Sequence, residues 1–137
     1  MTKEIESISC QQIFDVDGDI SYLQQYDINS KDSEERKYAL QDKKRLEAYY
    51  NDEWYFIGIQ AKAEIRINGI SQVITSGGLW GIESDSGDDY FNKIYQDEKE
   101  DLKNSLLELG FSEKEIAQKS EGLNQWNIVK FVEVQVI

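Results

Sequence analysis

Trp54-Tyr55-Phe56-Ile57-Gly58-Ile59-Gln60-Ala61-Lys62-Ala63-Glu64-Ile65-Arg66-Ile67-Asn68-Gly69-Ile70-Ser71-Gln72-Val73-Ile74-Thr75-Ser76 decides the fold. Tyr55, Ile57, Ile59, Ala61, Ala63, Ile65 and Ile67 alternate with Phe56, Gly58, Gln60, Lys62, Glu64 and Arg66. Successive side chains of a strand point to opposite faces, so alternation of this length marks a long strand with one buried face. Asn68-Gly69 comes immediately after. A type I′ turn needs positive φ at both central positions, which Asn and Gly tolerate best, so this dipeptide signals a hairpin. The two-residue loop pairs Ile67 with Ile70 and sets Ala63 opposite Ile74. The return strand runs from Ile70 to about Ser76.

Working outward, Gly77-Gly78 interrupts the return strand. A bulge or bend fits there, with Leu79, Trp80 and Ile82 continuing the sheet beyond it. Ser84-Asp85-Ser86-Gly87 is a turn, and Ser86 or Asp85 is placed to cap the helix after it. From Asp88 to Leu109, the residues Phe91, Ile94, Tyr95, Leu102, Leu106 and Leu109 form one helical stripe. Gly110 is placed to end this helix, with Phe111 as the apolar contact behind it. Ser112 and Glu115 have capping-box spacing and start a short helix to about Ser120. Trp126–Ile137 reads as a last strand. Upstream, Asp32 and Glu35 open a helix that runs to about Tyr50, with Ala39, Leu46 and Tyr50 on its inner face.

Residues 1–30 show no sustained period. Ile5, Ile8, Ile13 and Phe14 suggest a short strand, Asp15–Asp19 a turn, and Ser21–Tyr26 a loop. The order of this segment is left open, and residues 31–137 are taken as one domain. The expected fold is α+β: an antiparallel sheet built on the long hairpin, with two main helices packed on one face.

The chain has 137 residues, 27 acids against 15 bases, a net charge of −12 and no histidine. Such a balance argues against direct binding to nucleic acid or to an anionic membrane, both of which need clustered cations. It favours basic protein partners. From Glu83 to Asp101 there are eight acids against Lys93 and Lys99, whereas Trp54–Ile82 carries only Lys62, Glu64 and Arg66. One cysteine, Cys10, forms no internal disulfide and fits a reducing, cytoplasmic setting. Met1–Cys10 has neither the basic nor the apolar region of a signal peptide, and no stretch is long and apolar enough for a membrane helix.

Familiar catalytic arrangements are thin. Cys10 and the serines lack an activating imidazole. Asp15, Asp17 and Asp19 suit the first positions of a calcium loop, but the sixth residue from Asp15 is Ile20 and the twelfth is Tyr26. An acidic turn explains them. Ser76-Gly77-Gly78-Leu79-Trp80-Gly81 lacks the lysine of a phosphate-binding loop. Glu83, Asp85, Asp88 and Asp89 are oxygen ligands of the kind Mg²⁺ prefers, although helix-capping acids account for the same residues. No metal ligand, cofactor or catalytic residue is assigned.

Several blocks carry a resemblance: Ser21-Tyr22-Leu23, Leu46-Glu47-Ala48-Tyr49, Trp54–Ile59 with Ala61-Lys62-Ala63, and above all Ser76-Gly77-Gly78-Leu79-Trp80-Gly81-Ile82-Glu83-Ser84-Asp85-Ser86. Across roughly Asp19–Phe111 the chain resembles a family of small proteins met in bacteria, their phages and mobile elements. The family has no established activity, so the resemblance gives no residue a role. It implies a part in conflict between phage or element and host.

The expected function is therefore non-enzymatic protein binding. Trp80, Glu83, Asp85, Asp88, Asp89, Asp97 and Glu98, with Phe56 as an exposed aromatic, would dock on the basic surface of a host protein and mimic the phosphate backbone it normally holds. Two readings stand beside it: a carboxylate-metal enzyme on nucleotides or phosphoesters, and a phage structural or assembly protein.

Overall fold

A computed structural model describes residues 2–120. Strand β1 spans Lys3–Phe14, α1 Ser33–Tyr50, β2 Phe56–Ile67, β3 Ile70–Thr75, β4 Leu79–Glu83, α2 Asp88–Glu108 and α3 Glu113–Lys119. The strand expected at Trp126–Ile137 lies outside the described residues.

β2 is the spine of the sheet. Asn68 and Gly69 take φ of 51° and 82°, and Ile67 faces Ile70 while Ala63 faces Ile74, as the hairpin signal requires. Beyond the break at Gly77-Gly78, β4 returns to the same edge of β2, with Glu83 opposite Phe56 and Leu79 opposite Ile59. Two short strands thus share one edge. The opposite edge belongs to β1, antiparallel along its whole length from Lys3 opposite Ile67 to Phe14 opposite Ile57. The result is a four-stranded antiparallel sheet in an α+β fold.

The first thirty residues therefore supply a full-length strand, longer than the short one expected. Its period is hidden by a register shift between Ile5 and Ser7. Ile5 is buried at an odd position, and Ile8, Cys10 and Gln12 at even ones, because the extra residue flips the parity.

The α2 stripe Phe91, Ile94, Tyr95, Leu102 and Leu106 is buried against Ile57, Ile59, Ala61, Ala63 and Ile65 of β2 and against Ile5, Ile8 and Cys10 of β1. Leu109, at the helix C-cap, stays 38% exposed and outside the buried stripe. Gly110 has φ of 95°; its N–H reaches the Leu107 carbonyl at 3.0 Å and the Phe111 N–H reaches that of Leu106 at 3.1 Å. This bond pair closes α2 and drops Phe111 into the core beside Ile116 of α3. Ser112 caps α3 by accepting from the Glu115 N–H. At the other end of α2 the expectation fails: the N-cap is Gly87, with no side-chain cap. Asp85 is engaged by Arg45, and Ser86 donates to the Glu83 carbonyl.

Asp32 caps α1 by accepting from the Glu34 N–H at 2.9 Å. This helix serves a second cluster, in which Leu46, Ala48 and Tyr49 surround Leu23, Trp54 and Phe56. Phe56 points to the sheet face opposite Ile57, so this cluster lies apart from the α2 layer. Tyr50, expected on the inner face of α1, is exposed. Among the described residues no helix is long and apolar enough to cross a membrane.

Candidate functional site

On the sheet face turned away from α2, β2 presents Phe56, Gly58 and Gln60 in succession. Gly58 has no side chain, and the indole of Trp80 lies on it: a Cβ there would come within 2.1 Å of the ring. The indole N–H donates to the Gly77 carbonyl at 3.1 Å. Trp80 is thereby fixed flat on the backbone while 44% of it stays exposed. A large, rigid aromatic held in this way costs little entropy on binding a partner.

Carboxylates fix the strand that carries it. Glu98 of α2 accepts from the Ser76 hydroxyl at 2.8 Å and the Gly78 N–H at 2.7 Å, and Asp101 accepts from the Gly77 N–H at 3.2 Å. Gly81 has φ of 71° and donates its N–H to Asp15 at 2.8 Å. Asp15 also accepts from the Asp17 N–H, which builds the acidic turn read from the sequence. Asp19 accepts from the Ser21 N–H, and that bond holds its carboxyl below the usual range.

Two open hollows flank Trp80. One, of about 650 Å³, is walled by Tyr22, Leu79, Glu83, Ser86 and Tyr90. The other, of about 800 Å³, is walled by Ile13, Val16, Asp17, Asp19 and Tyr22. Trp80, Tyr22 and Gly81 border both. The surface is aromatic at its centre and acidic at its rim.

Arg45 organises one side of that rim. Its guanidinium donates to both oxygens of Asp85 at 2.6 Å and to Glu83 at 3.1 Å, and it stacks 4.0 Å over the Trp54 ring. The hydrogen bonds from Arg45 hold the Asp85 carboxyl below its ordinary range, and the same donation to Asp85 and Glu83 keeps Arg45 firmly protonated. Tyr22 donates to Glu83 at 2.9 Å; burial and that bond raise its phenol well above the ordinary value.

Arg45→Met keeps the stem over Trp54 but removes the fork. Because the pair is half in solvent, the expected loss at neutral pH is only about 1 kcal/mol, measured by denaturant unfolding. The pH dependence has a definite sign. Asp85 is depressed in the folded state, so its contribution is present above the unfolded carboxylate pKa, about 4. It is lost as the pH falls through the folded value. Wild type and variant should therefore converge on acidification below about pH 4; a constant gap would show that the ion pair is not its source.

Of the residues expected to form the site, Trp80 and Glu83 are brought together, and Asp85 joins Glu83 through Arg45. Asp88 and Asp89 occupy the exposed first turn of α2 beside Tyr90. Asp97 is exposed further along α2 and has no place in either hollow. Glu98 turns inward onto Ser76 and Gly78 and is a structural carboxylate. Phe56 is corrected outright: it is 3% exposed, not an exposed contact. The backbone of Gly18 packs on its ring, where a Cβ would lie within 2.1 Å, and Trp54, Tyr49 and Tyr22 surround it. Sequence reading missed Tyr22, Arg45, Gly18 and Gly58. Only Gly58 carried a signal, as a glycine in a strand interior, which marks close approach of another group.

Among the described residues no three or more acids or thiols gather closely enough to hold a metal ion. Burial, first of all, pushes the Cys10 thiol far above its ordinary value, away from nucleophilic use. Comparisons with family models, with curated proteins and with solved structures find no match.

Proposed function

We propose that this chain is a non-catalytic binding protein that docks its Trp80 face on a cationic surface of another protein. The observation that carries the reading is the exposed indole, pinned on Gly58 between two open hollows and ringed by acids. An anchor aromatic at the centre of a charged rim is the usual anatomy of a small protein–protein interface. The excess of 27 acids over 15 bases adds long-range attraction for a basic partner. A basic groove that normally holds nucleic acid suits this charge, and occupying it would inhibit the host protein by mimicry of a phosphate backbone. The resemblance to proteins of phages and mobile elements supports a part for such an inhibitor in conflict with a host, in the reducing cytoplasm that a lone buried thiol fits.

The test is capture of host proteins on the immobilised chain, eluted with a salt gradient. Bound protein should leave by about 0.5 M salt, since screening at that strength acts over only a few ångströms. Trp80→Ala should weaken the same interaction at least tenfold, about 1.4 kcal/mol. Asp17→Lys with Asp19→Lys should weaken it further. A captured protein whose binding is indifferent to both salt and Trp80 contradicts the proposal.

A further inference from the structure

The fold treats the open edges of its sheet unequally. From Gly77 to Gly81, outward amides are taken by carboxylates: Gly77 by Asp101, Gly78 by Glu98 and Gly81 by Asp15. The outer edge of β1 carries Lys3, Glu4 and Glu6 and the register shift at Ile5/Ser7, devices that discourage strand addition. β3 has no such guard. Ile70-Ser71-Gln72-Val73-Ile74-Thr75 contains no charge, no proline and no irregularity in its pairing.

The hydrogen-bonding parity of β3 is set. Ile70 closes the turn with Ile67, and the Ser76 N–H donates to the Ala61 carbonyl, so even-numbered residues bond to β2. The main-chain groups of Ser71, Val73 and Thr75 therefore point to the free edge. Among the described residues nothing bonds them. Ile70 and Val73 are 63% and 58% exposed.

We propose that this edge receives β3 of a second copy of the chain, antiparallel about a two-fold axis at Val73. Val73 then faces Val73, Ser71 faces Thr75 and Gln72 faces Ile74, each pair on a common face of one continuous sheet. The partner is chosen by charge. β3 is uncharged, and its β2 neighbours Lys62, Glu64 and Arg66 carry a net positive charge, so the edge offers nothing to the cationic proteins that suit the Trp80 face. An uncharged edge rich in β-branched residues is complemented by one of the same kind. The pairing is short, and two chains of charge −12 repel, so the dimer is weak. Added salt screens that repulsion and tightens it, opposite in sign to the salt response expected of the Trp80 face.

The experiment is sedimentation equilibrium on the full chain from about 10 μM to 1 mM at about 0.1 and 1 M NaCl. Wild type should approach the dimer mass with rising concentration, at least fivefold more tightly at the higher salt. Val73→Lys sets two ammonium groups face to face on the axis; it should be monomeric with unchanged melting. The Ser71→Lys/Thr75→Glu double variant turns each facing pair into an ion pair and should dimerise at least as tightly as wild type. A wild type that is monomeric throughout overturns the proposal, as does a Val73→Lys variant that still dimerises. A monomeric wild type whose melting falls with Val73→Lys would mean that the chain's own residues cover the edge. A double variant that does not dimerise rejects the register.

Discussion

Gly58→Ala is expected to lower stability by about 2 kcal/mol and to dislodge Trp80. The added Cβ would sit 2.1 Å from the indole, and the nearest ring atoms belong to a rigid bicycle rather than to the end of a flexible chain. Overpacking of this kind costs about 1–3 kcal/mol, set against roughly 0.4–1 kcal/mol gained by restricting the unfolded chain. For a domain of this size the loss corresponds to a fall in melting temperature of about 4–8 °C. The indole, once lifted, also gives up its bond to the Gly77 carbonyl, so binding through this face should fall with stability. A double-mutant cycle isolates the cause. In a Trp80→Ala background, Gly58→Ala should cost nothing or stabilise slightly, because the clash is gone. An additive loss would mean that Gly58 matters for some reason other than its contact with Trp80.

Ser76→Ala is expected to cost about 2–3 kcal/mol. The β2–β3 ladder ends where Thr75 faces Lys62, and just beyond it the Ser76 hydroxyl stands in for the missing strand. It accepts from the buried Ala61 N–H at 2.9 Å and donates to Glu98 at 2.8 Å. Ser76 is 2% exposed, so water does not replace either bond. Removing the hydroxyl strands a buried donor, which costs about 1–3 kcal/mol, and loosens a charge-assisted bond to Glu98. Hydrogen exchange should report faster exchange at Ala61 and Gly78 together, since Glu98 holds both sides of the break. Unfolding energies and protection factors equal to wild type would remove Ser76 from the structural role assigned to it.

The parts of the fold legible in the sequence were those set by local chemistry. The Asn68-Gly69 turn, the β2 alternation, the α2 stripe, the Gly110 terminus and the Ser112 cap each depend on residues within a few positions of one another. β1 was hidden because one extra residue between Ile5 and Ser7 reverses its parity, and a period of two does not survive that slip. Phe56 was misjudged because part of its cover, Gly18 and the short 3-10 turn Ser21–Gln24, lies more than thirty positions away. The acidic candidates divided for the same reason. Asp88 and Asp89 stay exposed in the first turn of α2, while Arg45 recruits Glu83 and Asp85, and Ser76 and Gly78 recruit Glu98, partners that no local pattern announces. Trp80 itself stood out as a tryptophan among glycines. Its support, Gly58 on a neighbouring strand, required the pairing of β4 with β2.

The most direct test of the central claim is a heteronuclear NMR titration of the chain with a lysine- and arginine-rich peptide as a probe of cationic surfaces. The account predicts saturable shifts at the Trp80 indole N–H and at the amides of Tyr22, Gly81 and Glu83, abolished in Gly58→Ala and weakened by salt. Shifts spread over the acids of α1 and α2 with the Trp80 indole unmoved would contradict it.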